Sequence, residues 1–257
     1  MRAQSFTIVL QTRVKIVLLS FLFVVAYTDA QEKQVIEQNQ QWFEYSAQLK
    51  TGSKSLILVD SGYRWMDNYI TGNVYYIRAG FEYKLSDNVS IHAGFAHIGY
   101  FYDNEKLSRI EHRPYQEMSI QNKFWNIGVY QRLRVEERFF EPLTSDQVGS
   151  VNWFNWRFRY MIMFDIPLFK FSKKNPDIRM SLGIGDEIMI NAGKNIIHNQ
   201  FDQNRFLISP TFYFSKKLNV SLIWSNQYLS TFTPNRFIHG QVFWLLIRQK
   251  FDLQKSP

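Results

Sequence analysis

Residues 131–139 read Gln131-Arg132-Leu133-Arg134-Val135-Glu136-Glu137-Arg138-Phe139. Arg132, Arg134, Glu136 and Arg138 hold every second position, and Leu133, Val135 and Phe139 fall between them. Successive side chains of a β-strand point to opposite faces. One face of this stretch therefore carries three guanidinium groups and a carboxylate, while the other is largely apolar. A soluble sheet can put the charged face in water. A transmembrane barrel can put it in the lumen and turn the apolar face to lipid.

The same period of two recurs along the chain. It predicts strands near 42–49, 55–65, 74–85, 89–102, 113–121, 126–140, 153–166, 178–190, 205–215, 219–230 and 239–253, with no amphipathic helix between them. In 74–85, Tyr75, Ile77, Ala79, Phe81, Tyr83 and Leu85 alternate with Arg78, Gly80, Glu82 and Lys84. In 153–166, Phe154, Trp156, Phe158, Tyr160, Ile162, Phe164 and Ile166 alternate with Arg157, Arg159 and Asp165. Asp186 falls on the apolar parity of its strand, which predicts a bulge near Gly183 or Gly185. Short polar turns are expected at 51–53, 86–88, 122–123 and 216–219, and a moderate one at 171–176. Longer connections are expected at 66–73, 103–112, 141–152, 191–204 and 231–238. Outer-membrane barrels have such an alternation of short turns and longer loops.

The pattern gives eleven strands, whereas bacterial single-chain barrels have an even number. The expectation is therefore an all-β, antiparallel transmembrane β-barrel of about twelve strands, the twelfth hidden in the polar residues 31–41, with ten as the alternative count.

Packing and charge choose between the two environments. Aromatic residues make up 17% of the chain, and a soluble barrel would have to pack whole rows of them inside, where interiors need alternating large and small residues. The outside of a membrane barrel sets no such limit. An Arg on the lipid face at the midplane costs ~2–4 kcal/mol, so the arginines must face inward. No segment beyond residue 30 approaches the ~20 apolar residues of a membrane helix. The mean hydropathy of −0.27 does not exclude a barrel, because half of its strand residues are luminal. Arg2, Arg13 and Lys15, the apolar run 16–26, and Thr28-Asp29-Ala30 predict a cleavable signal peptide over residues 1–30 and a single barrel domain over 31–257. The chain has no cysteine, which excludes disulfides and thiolate metal sites. Phe243, Leu245, Ile247, Phe251 and Leu253 give the last strand the look of a barrel insertion signal.

Glu111-His112-Arg113-Pro114-Tyr115-Gln116-Glu117, the 131–139 stretch, Arg157-Phe158-Arg159-Tyr160, Gly185-Asp186-Glu187 and Phe201-Asp202-Gln203-Asn204-Arg205 follow one another in that order. This order resembles the bacterial outer-membrane β-barrel family catalogued as domain of unknown function 2490. The resemblance covers roughly residues 42–253. It implies a barrel fold and a location in the outer membrane of Gram-negative bacteria, and it brings no assigned activity.

By parity, Arg78, Glu82, Arg113, Glu117, Arg132, Arg134, Glu136, Arg138, Arg157, Arg159, Glu187 and Arg205 form the expected luminal charge network, with Glu44, Asp60, Arg64, Asp165 and Arg179 beside them. The arrangement predicts Arg–carboxylate pairs that fill the lumen, because the planar guanidinium pairs bidentately and buried charges are normally paired. The alternative is an anion-attracting, porin-like channel, from the excess of arginine over acid. A third reading, an outer-membrane lipid hydrolase, needs a Ser and a His held together. His92, His97, His112, His198 and His239 stand in no such motif, and their spacing matches no metal-ligand pattern. No enzymatic activity, catalytic residue, metal or cofactor is expected, and no Gly-rich phosphate loop is present. The expected partners are outer-membrane lipid and lipopolysaccharide, and the barrel-assembly machinery during insertion. A secreted barrel with a net charge of +8 is not expected to bind nucleic acid.

Overall fold

The computed structural model describes residues 33–66, 68–102, 106–143, 153–196, 199–231 and 233–254. The expected signal peptide lies outside them. The described residues form strands and turns without a helix, closed into one barrel. The strands are β1 (Gln34–Lys50), β2 (Ser55–Met66), β3 (Thr71–Lys84), β4 (Val89–Tyr102), β5 (Lys106–Phe124), β6 (Ile127–Pro142), β7 (Trp153–Lys170), β8 (Arg179–Ala192), β9 (Phe201–Tyr213), β10 (Leu218–Ser230) and β11 (Arg236–Asp252). Each pairs antiparallel with the next in sequence.

The strand count is eleven, not twelve or ten. The polar residues expected to hold a twelfth strand are, from Gln34 onward, the first half of a long β1. Closure then joins two strands that run the same way. Across the β1/β11 seam Glu37 meets His239, Trp42 meets Trp244 and Lys50 meets Asp252. The partner numbers rise together, which is the signature of a parallel pair. In the β1/β2 pair they run oppositely, from Gln40 with Met66 to Lys50 with Leu56. An odd count forces this, because alternating directions around a ring close antiparallel only when the number is even. One consequence is that β1 begins at the rim opposite to the one where β11 ends.

The rim where β1 begins, here the upper rim, carries the connections 67–70, 103–105, 143–152, 193–200 and 231–235. The lower rim carries 51–54, 85–88, 125–126, 171–178 and 214–217. Short and long connections alternate less sharply than expected. The stretch 106–112 is strand, not loop, since β5 pairs along its upper part with both β4 and β6. Likewise β5 runs through 122–123, and the reversal sits at Trp125, with a φ of 57°.

The outside of the barrel is apolar and the inside polar. Among the described residues 22 polar or charged side chains are buried against 12 hydrophobic ones, while Phe81, Phe95, Leu133, Phe158, Leu222 and Phe243 are among the exposed outward-facing residues. This inverts the partition of a soluble domain. A small apolar cluster inside the lumen, Leu207, Ile223 and Leu246 with Met161, Met163 and Trp244, spans β7, β9, β10 and β11. The bulge expected near Gly183 or Gly185 is absent: the β8 register runs unbroken through both. Asp186 instead faces outward, where its Oδ1 accepts a hydrogen bond from Asn204 Nδ2 at 2.7 Å.

Candidate functional site

Strand pleat brings the inward residues of β5, β6, β7, β8 and β9 to one level of the lumen. The charges there form one connected network, the waist. Glu136, fully buried, sits at its centre. Arg157 Nη2 lies 2.5 Å and Arg159 Nη1 2.7 Å from its carboxylate, with Arg134 at 3.7 Å and Arg113 at 3.8 Å. Glu187 takes Arg132 at 2.5 Å, Arg159 at 2.7 Å and Arg205 at 3.7 Å. Glu117 takes Arg134 at 2.5 Å and Arg132 at 3.8 Å. Glu111, also fully buried, takes Arg113 at 2.6 Å and Arg138 at 2.8 Å. Asp202 bridges Arg157 at 3.1 Å and Arg138 at 3.9 Å. Most arginines in this network span two carboxylates, and most carboxylates gather several arginines, so each burial cost is shared.

Arg78 stands apart from the waist. Its Nε donates to Asp60 at 2.8 Å and its Nη2 to Glu44 at 3.3 Å. Tyr76 Oη donates to the same Glu44 at 2.5 Å. Gly62 makes that reach possible: a Cβ there would lie 2.6 Å from the Tyr76 ring, so the ring can cross β2 only over a glycine. Gly94 does the same for Tyr115, over whose ring the Arg134 guanidinium lies at 4.6 Å. Glu82, near the lower rim, joins no ion pair among the described residues.

Of the residues chosen by parity, Arg113, Glu117, Arg132, Arg134, Glu136, Arg138, Arg157, Arg159, Glu187 and Arg205 are thus brought together, Arg78 joins a neighbouring triad, and Glu82 joins neither. Sequence reasoning missed two carboxylates. Glu111 lies in the part of β5 expected to be a loop. Asp202 has the opposite parity to Arg205, but a register shift between Met189 and Ile190 pairs Gln203 with the first and Phe201 with the second. The intervening Asp202 is left unpaired, and that bulge turns its carboxylate to the lumen. Glu111 shares its parity with Arg113, a signal that a longer strand would have exposed. No local pattern announces the bulge.

The waist does not fill the lumen. A cavity of about 1590 Å³ remains, lined by side chains of both rims, among them Asn199 and Thr231 above and Lys84 and Lys250 below. The histidines bring no triad together: among the described residues no hydrogen bond links a histidine to a serine. His92 faces Tyr115 Oη at 3.4 Å, His97 meets Tyr75 Oη at 3.1 Å, His112 lies 4.0 Å from Glu141, and His239 lies 2.9 Å from Glu37. His198 lies outside the described residues. Among the described residues no group of three His, Asp or Glu is placed to hold a metal ion.

The sequence profile of the family described as "Protein of unknown function (DUF2490)" matches residues 39–237. The chain belongs to this family. The match takes in β1 from its sixth residue through to the start of β11, and with them every member of the charged waist. No curated protein and no solved structure matches the chain.

Proposed function

We propose that this DUF2490 protein is an outer-membrane β-barrel whose lumen is closed to bulk flow by the Arg–carboxylate waist. One observation carries the membrane reading: the partition of the barrel is inside-out, with large apolar side chains outward on every strand and the buried charges inward. Such a surface is stable where lipid covers it, and the inward charges then avoid the hydrocarbon. Aromatic residues near both rims agree with interfacial girdles, Tyr63, Trp65 and Tyr75 above and Phe124, Trp125 and Phe171 below. On this reading residues 1–30 are a signal peptide, the barrel-assembly machinery inserts the chain, and lipid and lipopolysaccharide surround it. The role is structural or that of a weak pore, with no enzymatic activity.

A second reading, an anion-selective channel, is favoured by the cavity that reaches both rims and by its lower mouth. Lys84, Arg248 and Lys250 face inward there without an ion pair among the described residues. Membrane fractionation followed by single-channel recording tests both readings. Insertion with near-zero conductance supports the closed barrel. Steady anion-selective current supports the channel, and recovery in the soluble periplasm without detergent refutes the membrane role.

A further inference from the structure

Two arginines of the upper lumen differ in kind from those of the waist. Arg64, near the upper end of β2, and Arg109, near the upper end of β5, both line the cavity. Among the described residues neither has a carboxylate within salt-bridge reach, and neither donates a hydrogen bond. Aromatic faces hold them instead. The Arg64 guanidinium lies 4.0 Å from the centre of the Trp42 ring and 5.5 Å from that of Tyr76. Arg109 lies 4.3 Å from Tyr100 and 4.9 Å from Phe140. From the opposite wall Arg205 reaches the same Trp42 ring at 5.1 Å, and its one carboxylate contact among the described residues, to Glu187, is long at 3.7 Å. The Nε atoms of all three are buried without a partner.

Stacking on an aromatic face orients a guanidinium without neutralising it. The waist shows that this chain can supply a carboxylate to an inward arginine, and here the described residues supply none. Two cations with no carboxylate partner among the described residues, held in place by rings, therefore border the cavity. Their orientation is already set, so an incoming anion need not bear that ordering cost. The fork of a guanidinium matches a carboxylate or a phosphate.

We propose that the upper half of the lumen binds a small solute carrying a carboxylate or phosphate group, with Arg64 and Arg109 as the receptor groups. The proposal deepens the closed-barrel reading and rests on it, since a closed waist makes the upper lumen a receptacle and not a passage.

The test is calorimetric titration of the full chain, refolded in detergent at low salt, with inorganic phosphate in one arm and succinate in the other. Saturable binding in at least one arm is expected. Arg64→Gln and Arg109→Gln should each weaken it by about tenfold or more, the loss of one charge-assisted contact. Both variants should melt no lower than the parent, because neither leaves a carboxylate stranded. Lys84→Gln at the lower rim should leave binding unchanged. Three results overturn the proposal: no saturable binding in either arm, equal affinity in the Arg64→Gln/Arg109→Gln double variant, or an equal loss in Lys84→Gln, which would make the effect one of total charge. A barrel that inserts into membranes and binds neither anion sinks the receptacle alone. Failure to insert sinks the reading beneath it.

Discussion

Replacing Glu136 by Gln tests whether the waist is a dry, mutually dependent network. The substitution keeps the volume and removes the charge that four guanidiniums approach, with Arg157 and Arg159 at 2.5 and 2.7 Å. Breaking a buried ion pair from one side costs ~3–5 kcal/mol, because the remaining charge is buried without compensation. Each arginine here keeps a second acid: Arg157 keeps Asp202, Arg159 keeps Glu187, Arg113 keeps Glu111 and Arg134 keeps Glu117. That fallback places the expected loss at the low end, about 3 kcal/mol. For a chain of this size it lowers the melting midpoint by roughly 6–12 °C. Urea unfolding in micelles, with the heat-dependent gel shift as a second probe, measures it. Glu37→Gln is the matched control, since among the described residues Glu37 pairs only with His239 on the outer surface, and its loss should stay below ~1 kcal/mol. If Glu136→Gln costs no more than the control, water solvates the waist, and the closed lumen is wrong.

Thiol labelling of single-cysteine variants should divide by parity. Cysteine at Phe81, Phe158 or Ile162 should react with lipid-soluble reagents, and at Arg78 or Glu82, outside the dry waist, with water-soluble ones; labelling without parity refutes the facing. The parallel seam predicts that a tag placed before Gln34 and another after Asp252 are accessible from opposite sides of the membrane, and protease protection of both on one side would refute eleven-strand closure. Gly94→Ala puts a methyl group 2.5 Å from Tyr115 Oη, so the ring beneath Arg134 must move, at a cost of about 1–3 kcal/mol in the same unfolding assay; an unchanged midpoint would show that the ring has room to shift. Asp202→Asn should destabilise less than Glu136→Gln, because Arg138 and Arg157 each keep a shorter contact to Glu111 and Glu136; an equal or larger loss would make Asp202 the centre of the network.

Much of the barrel is legible one strand at a time. The alternation in 153–166 places Phe158 outward and Arg159 inward before any partner strand is known, since the pleat acts between adjacent residues. The same local rule marks the inward row from Arg132 to Arg138 and the outward row from Tyr75 to Tyr83. Eleven strands are likewise countable from the sequence, and what misled was a general rule of even numbers.

Tertiary structure alone decided how those strands close and which charges meet. Whether residues 34–41 are a strand of their own or the head of β1 depends on what lies beside them, and that neighbour is β11, some two hundred residues away. The seam is parallel because a ring of eleven alternating strands has no other way to join. Asp202 reaches Arg157 only because β9 carries one residue more than β8 across their pairing, a register property of two strands. Parity could put Arg64 and Arg159 on the same inward face. It could not say that Arg159 finds Glu136 and Glu187 while Arg64 lies over the rings of Trp42 and Tyr76. Facing is a property of neighbouring bonds and is written in the sequence. Partnership across a lumen depends on register, tilt and closure, which exist only once the barrel has formed.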